Sequence, residues 1–173
     1  MTDQAAWIDD EQRVLARRAE RLKQIPADDD GVAQTWIAEF PVGDRLCGLP
    51  LIQIRACVPC RMVTPVPTAD ASVIGILRFE GTIVTAVSLA SMLGVRGWRV
   101  DPAVLLVVML SPRALVAVDC EAIPRATTIP EAVVEAARSR APGPILEIRT
   151  PDISLDYIES VDKIIRRRPE SSG

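Results

Sequence analysis

From residue 35 onward the chain is a succession of aliphatic runs of strand length, each broken by a turn signal. The runs fall at 36–42, 46–54, 58–67, 73–79, 82–87, 104–110, 114–119, 121–129 and 145–149, and Val and Ile dominate the middle of the chain. Gly43-Asp44, Glu80-Gly81 and Ser111-Pro112-Arg113 are turn sequences between them. Many short strands at near-regular spacing predict a barrel or sandwich, not a parallel sheet wrapped in helices. Pro59, Pro65 and Pro67 cannot donate to a ladder, which puts the 58–67 segment at an edge or corner. Helices are short and few. One is expected over 88–93, with Ser88 as its N-cap and Gly94 as its stop. Another covers 130–140, with proline in its first turn, and a third covers 159–168. Residues 153–157 read as strand or loop.

The first 31 residues follow a different rule. Ile8, Leu15 and Leu22 recur every seventh position, with Trp7, Val14, Ala19 and Ile25 beside them and arginines on the remaining faces, predicting an amphipathic helix over 5–25. The stretch Pro26-Ala27-Asp28-Asp29-Asp30-Gly31 ends it as an acidic linker. Such a stripe docks on its own domain or on another helix, and three heptad positions are few for a coiled coil. The organisation expected is therefore 1–31 helix and linker, 32–168 β domain, and 169–173 tail.

Composition removes several functions. The chain has no histidine, the commonest general base and nitrogen ligand. Aromatics make up 3%, a poor supply of stacking platforms for single-stranded nucleic acid. The net charge is −3, from 20 basic and 23 acidic residues, so no global field attracts phosphates. Arg166, Arg167 and Arg168 are the one basic cluster, and they suit the C-terminal end of a helix. No apolar run approaches the ~20 residues of a membrane-spanning helix. No basic-then-apolar leader opens the sequence. A cytoplasmic protein without cofactor, bound metal, nucleic-acid partner or membrane insertion is expected.

Cys57-Val58-Pro59-Cys60 admits a rival reading as a zinc or dithiol site. Zinc would need two more ligands, and Cys47 and Cys120 are the remaining thiols. A thioredoxin-like pair would sit at a helix start, whereas this one lies in a β-rich segment. The other reading is thiols packed as small apolar groups. In Gly94-Val95-Arg96-Gly97-Trp98-Arg99 the glycines lack the spacing of a nucleotide loop. Trp98 there is either a barrel cap or a contact anchor.

Several local patterns, taken in order, resemble the CheW-like domain from about residue 35 to 168. They are Leu49-Pro50-Leu51-Ile52-Gln53-Ile54, Thr64-Pro65-Val66-Pro67, Val73-Ile74-Gly75-Ile76-Leu77, Gly81-Thr82-Ile83-Val84, Leu89 with Leu93-Gly94, and Val118-Asp119. The resemblance implies a mainly β fold: two small five-stranded, SH3-like β-barrels sharing an apolar core, with an N-terminal helix and short connecting and C-terminal helices. It implies a non-catalytic adaptor of bacterial chemosensory signalling. One barrel binds the regulatory domain of a CheA-type histidine kinase, and the cytoplasmic tip of a chemoreceptor docks near the groove between barrels. A pathway other than chemotaxis fits the same resemblance.

The chain departs from that family where partners bind. The family's Asn-Leu-Arg-Gly is Arg78-Phe79-Glu80-Gly81 here, so Glu80 stands in place of an arginine. Ser88 stands in place of an aspartate, and Ala56 in place of a glutamate. In a regular strand, Arg78 and Glu80 would project from one face. If positions 80 and 88 meet, their two replacements are one event. The partner-binding set expected is Ile76, Arg78, Phe79, Glu80, Gly81, Val84 and Ser88. Within it Glu80 either alters partner choice by charge reversal or is a solvated turn residue beside apolar contacts.

Overall fold

The computed structural model describes residues 31–67, 70–95 and 103–167. Ala33–Gly173 form one compact unit, separate from Met1–Val32. The helix expected over 5–25, Trp98 and the 169–173 tail lie outside the described residues.

Among its described residues the unit has ten strands, β1 Gln34–Val42, β2 Arg45–Pro50, β3 Ile54–Pro59, β4 Val73–Phe79, β5 Thr82–Val87, β6 Val104–Ser111, β7 Ala114–Cys120, β8 Arg125–Pro130, β9 Ile145–Arg149 and β10 Ser154–Ile158. Helices α1 Leu89–Met92, α2 Glu131–Arg140 and α3 Val161–Arg166 punctuate them. The strands form two five-stranded sheets, ordered β8-β1-β2-β10-β9 and β3-β6-β7-β5-β4. Both orders follow one plan. A hairpin (β1–β2 or β6–β7) joins a second hairpin (β9–β10 or β4–β5) through one parallel pairing. A single antiparallel strand, β8 or β3, completes each sheet. The chain leaves the first sheet after β2 to supply β3 to the second, and returns after β7 to supply β8 to the first.

Side-chain alternation produces three cores. In β6, Leu105 and Val107 point into the second barrel, while Leu106 and Val108 point the other way, against Phe40, Leu49 and Val118. That double burial explains why β6 reads as an unbroken apolar run. The largest cluster joins the barrels: Ala38, Phe40 and Val42 of β1, Cys47 and Leu49 of β2, and Val116, Val118 and Cys120 of β7. Inside the first barrel, Ile37, Ile129, Leu146, Ile148, Leu155 and Tyr157 pack under Val134 and Ala137 of α2. The mainly β, paired-barrel architecture is the one expected.

Three segments differ by more than two residues. The run 46–54 is a strand, a 3-10 turn and the first residue of the next strand, not one strand throughout. Pro50 (φ −54) ends β2 and a 3-10 turn, Leu51–Gln53, turns the chain toward the second sheet. The run 58–67 yields the end of β3, a second 3-10 turn at Cys60–Met62, and an isolated bridge at Thr64. Prolines at 59, 65 and 67 leave too few N–H groups for a continuous ladder. The run 121–129 starts late, at Arg125. The C-terminal helix is shorter than 159–168, with Ser160 as its N-cap, accepting from the Lys163 N–H.

Candidate functional site

The β4–β5 hairpin carries most of the residues singled out by sequence. Its register pairs Leu77 with Val84, Arg78 with Ile83 and Phe79 with Thr82. Leu77 and Val84 face inward at 2% and 1% exposure, so Val84 offers a partner no side-chain surface. The opposite face shows Ile76, Arg78, Ile83 and Thr85. Arg78 and Thr85 are exposed, and Ile83 is 63% exposed. Phe79 is half-buried against the second barrel's interior. Ile83 is thus the apolar residue presented outward, and inward placement of its neighbour Val84 was the signal for it.

Glu80 does not continue the strand. Its φ is +46 and that of Gly81 is +80, the paired left-handed conformation of a two-residue hairpin turn. The turn swings Glu80 off the face that carries Arg78. It meets Arg55 of β3 instead, at 3.3 Å, with both side chains about half exposed. Strands β3 and β4 are the two edges of their sheet, so this ion pair spans the seam at which the barrel closes. The seam is also closed by backbone: Thr64 and Ile76 exchange N–H···O bonds of 2.7 and 2.9 Å. Gly75 permits that approach, because a Cβ there would lie 2.6 Å from Val63 and tighter still against the Thr64 carbonyl.

Ser88 lies at the other end of β5, about 20 Å from the turn by strand rise, so positions 80 and 88 do not meet. It is buried and caps α1, its hydroxyl accepting from the Ser91 N–H at 3.3 Å. Beside it, Asp119 is 3% exposed and accepts from the Leu89 N–H at 2.7 Å, while its Oδ2 has no hydrogen-bond partner among the described residues. Burial pushes this carboxyl up, and the Leu89 N–H offsets only part of that rise.

The cysteines are dispersed in packing. Cys57 lies against the shared core and Cys60 against the interior of the second barrel. Burial raises the Cys57 thiol, and burial with nearby Asp156 pushes Cys47 up to about 12, which opposes thiolate formation. Among the described residues, no three Cys, Asp or Glu side chains form a cluster able to hold a metal ion.

A groove of about 580 Å³ opens between the barrels. The first barrel supplies Arg45, Ile145 and Ile164, and the second supplies Val87, Leu93 and Leu115. Thr85 lines it too, so the outer face of the hairpin runs into the groove. Nothing in the strand pattern marks it, since its residues come from eight separate segments.

Two five-stranded barrels back to back, with an apolar groove between them, define a paired SH3-like module. The sequence matches the family model of the CheW-like domain over residues 37–166, and the chain belongs to that family. Among solved structures it is similar to the scaffolding protein TtCheW from Thermoanaerobacter tengcongensis, at 15% identity and a TM-score of 0.58, over 73% of this chain and 89% of that one. No curated protein sequence matches it. No helix among the described residues is long and apolar enough to cross a membrane.

Proposed function

We propose that this protein is a non-catalytic, cytoplasmic adaptor of bacterial chemosensory signalling, linking chemoreceptors to a CheA-type histidine kinase. Membership of the CheW-like family carries this reading. An adaptor needs surface for two partners, and the molecule offers two adjoining ones. The outer face of the β4–β5 hairpin, with Ile83 exposed between Arg78 and Thr85, has the make-up of an apolar contact with a polar rim. We assign it to the kinase regulatory domain. The groove between the barrels is assigned to the chemoreceptor tip. Glu80 then acts on kinase binding through the seam, by holding the hairpin against Arg55, more than as a selector of partner charge.

Affinity purification from the native cell, with partners identified by mass spectrometry, tests the reading. A CheA-type kinase and a chemoreceptor are expected together, and recovery of neither overturns it. Ile83→Asp should weaken the kinase regulatory domain at least tenfold, about 1.4 kcal/mol, and leave the receptor bound.

A further inference from the structure

We propose that Asp119 is a proton-linked latch on α1, holding that short helix most firmly when its carboxyl is neutral and loosening it on ionisation. The inference goes beyond the adaptor reading and does not depend on it.

A polar cluster closes one end of the second barrel. Among the described residues the buried polar side chains are Ser72, Ser88, Asp119 and Asp156. Asp156 is matched by Arg149 and Arg45. The other three gather in one place. Asp119 follows Ala117 on the inward face of β7, opposite Leu105, and Ser88 follows Ala86 of β5 in the same sense. The Ser88 N–H donates to the Ser72 carbonyl at 2.7 Å. Asp119 meets the start of α1, where the Leu89 N–H donates to its Oδ1 and the Ser88 hydroxyl lies beside the carboxyl. Its Oδ2 is sealed from solvent and has no donor among the described residues.

No cation offsets a charge there. The charged group that acts on Asp119 is Glu121, two positions further on, and it opposes ionisation. Cys120 between them turns to the shared core, its thiol pushed up by burial. Strand β6 presents Leu105 and β5 presents Ala86, neither of which titrates. Asp70, beyond Ser72, accepts from the Ser72 N–H and hydroxyl. Burial therefore favours the neutral acid, and the Leu89 N–H and Ser88 hydroxyl offset only part of that preference. Lifting α1 would hydrate the carboxyl and restore its ordinary titration. Below 3.8 both states hold the proton and α1 is tightest; as pH rises through the elevated closed-state value, ionisation draws the helix toward the open state. Because α1 and its cap carry Ser91, Met92 and Leu93 to the wall of the groove, the latch sets how rigid that wall is.

An NMR pH titration of the full chain tests this. The Leu89 amide resonance should titrate with a midpoint above the ordinary carboxylate value. The amides of Met92 and Leu93, which donate to Ser88 and Leu89, should exchange with less protection than those of β9 and β10, the mark of a local opening. Corrected for intrinsic rates, their protection should fall about threefold across the midpoint, the low end of what one hydrogen bond is worth. Asp119→Asn keeps an acceptor for Leu89 and should remove the pH dependence. Ser88→Asp keeps the helix cap and adds a second carboxyl, so it should move the midpoint further up than Ser88→Asn, a cap of equal size without charge. If Asp119→Asn does not fold, the two Ser88 variants decide. A Leu89 amide that does not titrate, an unchanged slope in Asp119→Asn, equal midpoints for the Ser88 variants, or α1 amides that exchange only with the whole domain overturns the proposal.

Discussion

The two barrels share one strand plan and close by different means. In the first, the edge strands β8 and β9 are bridged by α2, whose Val134 and Ala137 are buried against the barrel interior. In the second, edge strand β4 is tied to the segment that follows edge strand β3 by the Thr64–Ile76 backbone exchange, and its turn is tied to β3 by the Arg55–Glu80 ion pair. An apolar helix closes a seam by burial, which tolerates small shifts. A backbone exchange depends on close approach, here on the missing Cβ of Gly75. The barrel with the more exacting seam is also the one whose hairpin face we assign to the kinase, so its closure and its proposed function are coupled at the same turn.

The strongest way to break the comparison is to remove what the barrels have in common. Phe40, 1% exposed in the shared core, should cost about 3–5 kcal/mol when changed to Ala. Denaturant titration should show both barrels unfolding in a single transition, and two separate transitions would show that the barrels are independent. Next in size is Gly75→Val, which forces a side chain against Thr64 and Val63 and should cost about 2–3 kcal/mol. Hydrogen exchange should speed up at Thr64 and Ile76 while the amides of β9 and β10 keep their protection.

The matching change in the first barrel is Val134→Ala, expected at about 1–2 kcal/mol from two lost methyl groups. Its exchange signature should be confined to β8, β9 and α2. A double-mutant cycle on Arg55→Ala and Glu80→Ala should give a coupling of less than about 1 kcal/mol, since both groups are half exposed. A larger value would make the ion pair, not the backbone bridge, the principal clasp of the second seam.

The smallest effect is pH-dependent. Burial raises the Asp119 carboxyl above its ordinary 3.8, so the folded state keeps a proton that the unfolded chain has released. The stability this contributes is fully present below 3.8 and is lost as pH rises through the elevated folded value. Asp119→Asn, which can still accept from the Leu89 N–H, should flatten that slope in denaturation curves across mildly acidic pH.

Much of this molecule is local in origin and therefore legible in its sequence. The alternation in 73–79 and 82–87 specifies that hairpin to the residue, because a period of two leaves one register with apolar side chains inward. Glu80-Gly81 marks its turn, and Ser88 with Gly94 marks a helix whose cap and stop are where the residue types place them. The breaks at Leu51–Gln53 and Cys60–Met62 are less legible, because aliphatic residues run into the first and flank the second, and only the prolines signal a change of direction.

The site divides in the same way. That Arg78 faces outward and that Glu80-Gly81 turn follows from strand period and turn chemistry. That Val84 is inside while Ile83 is outside follows from the same period once the register is known. The placement of Glu80 beside Arg55, 25 residues away, does not. It required two non-neighbouring strands to meet as a barrel closes. Sequence by itself determined the strands, turns and caps, since each depends on side chains within a few positions of one another. Tertiary structure alone decided the seams, the shared core and the groove between the barrels, because those contacts join segments that are not neighbours along the chain.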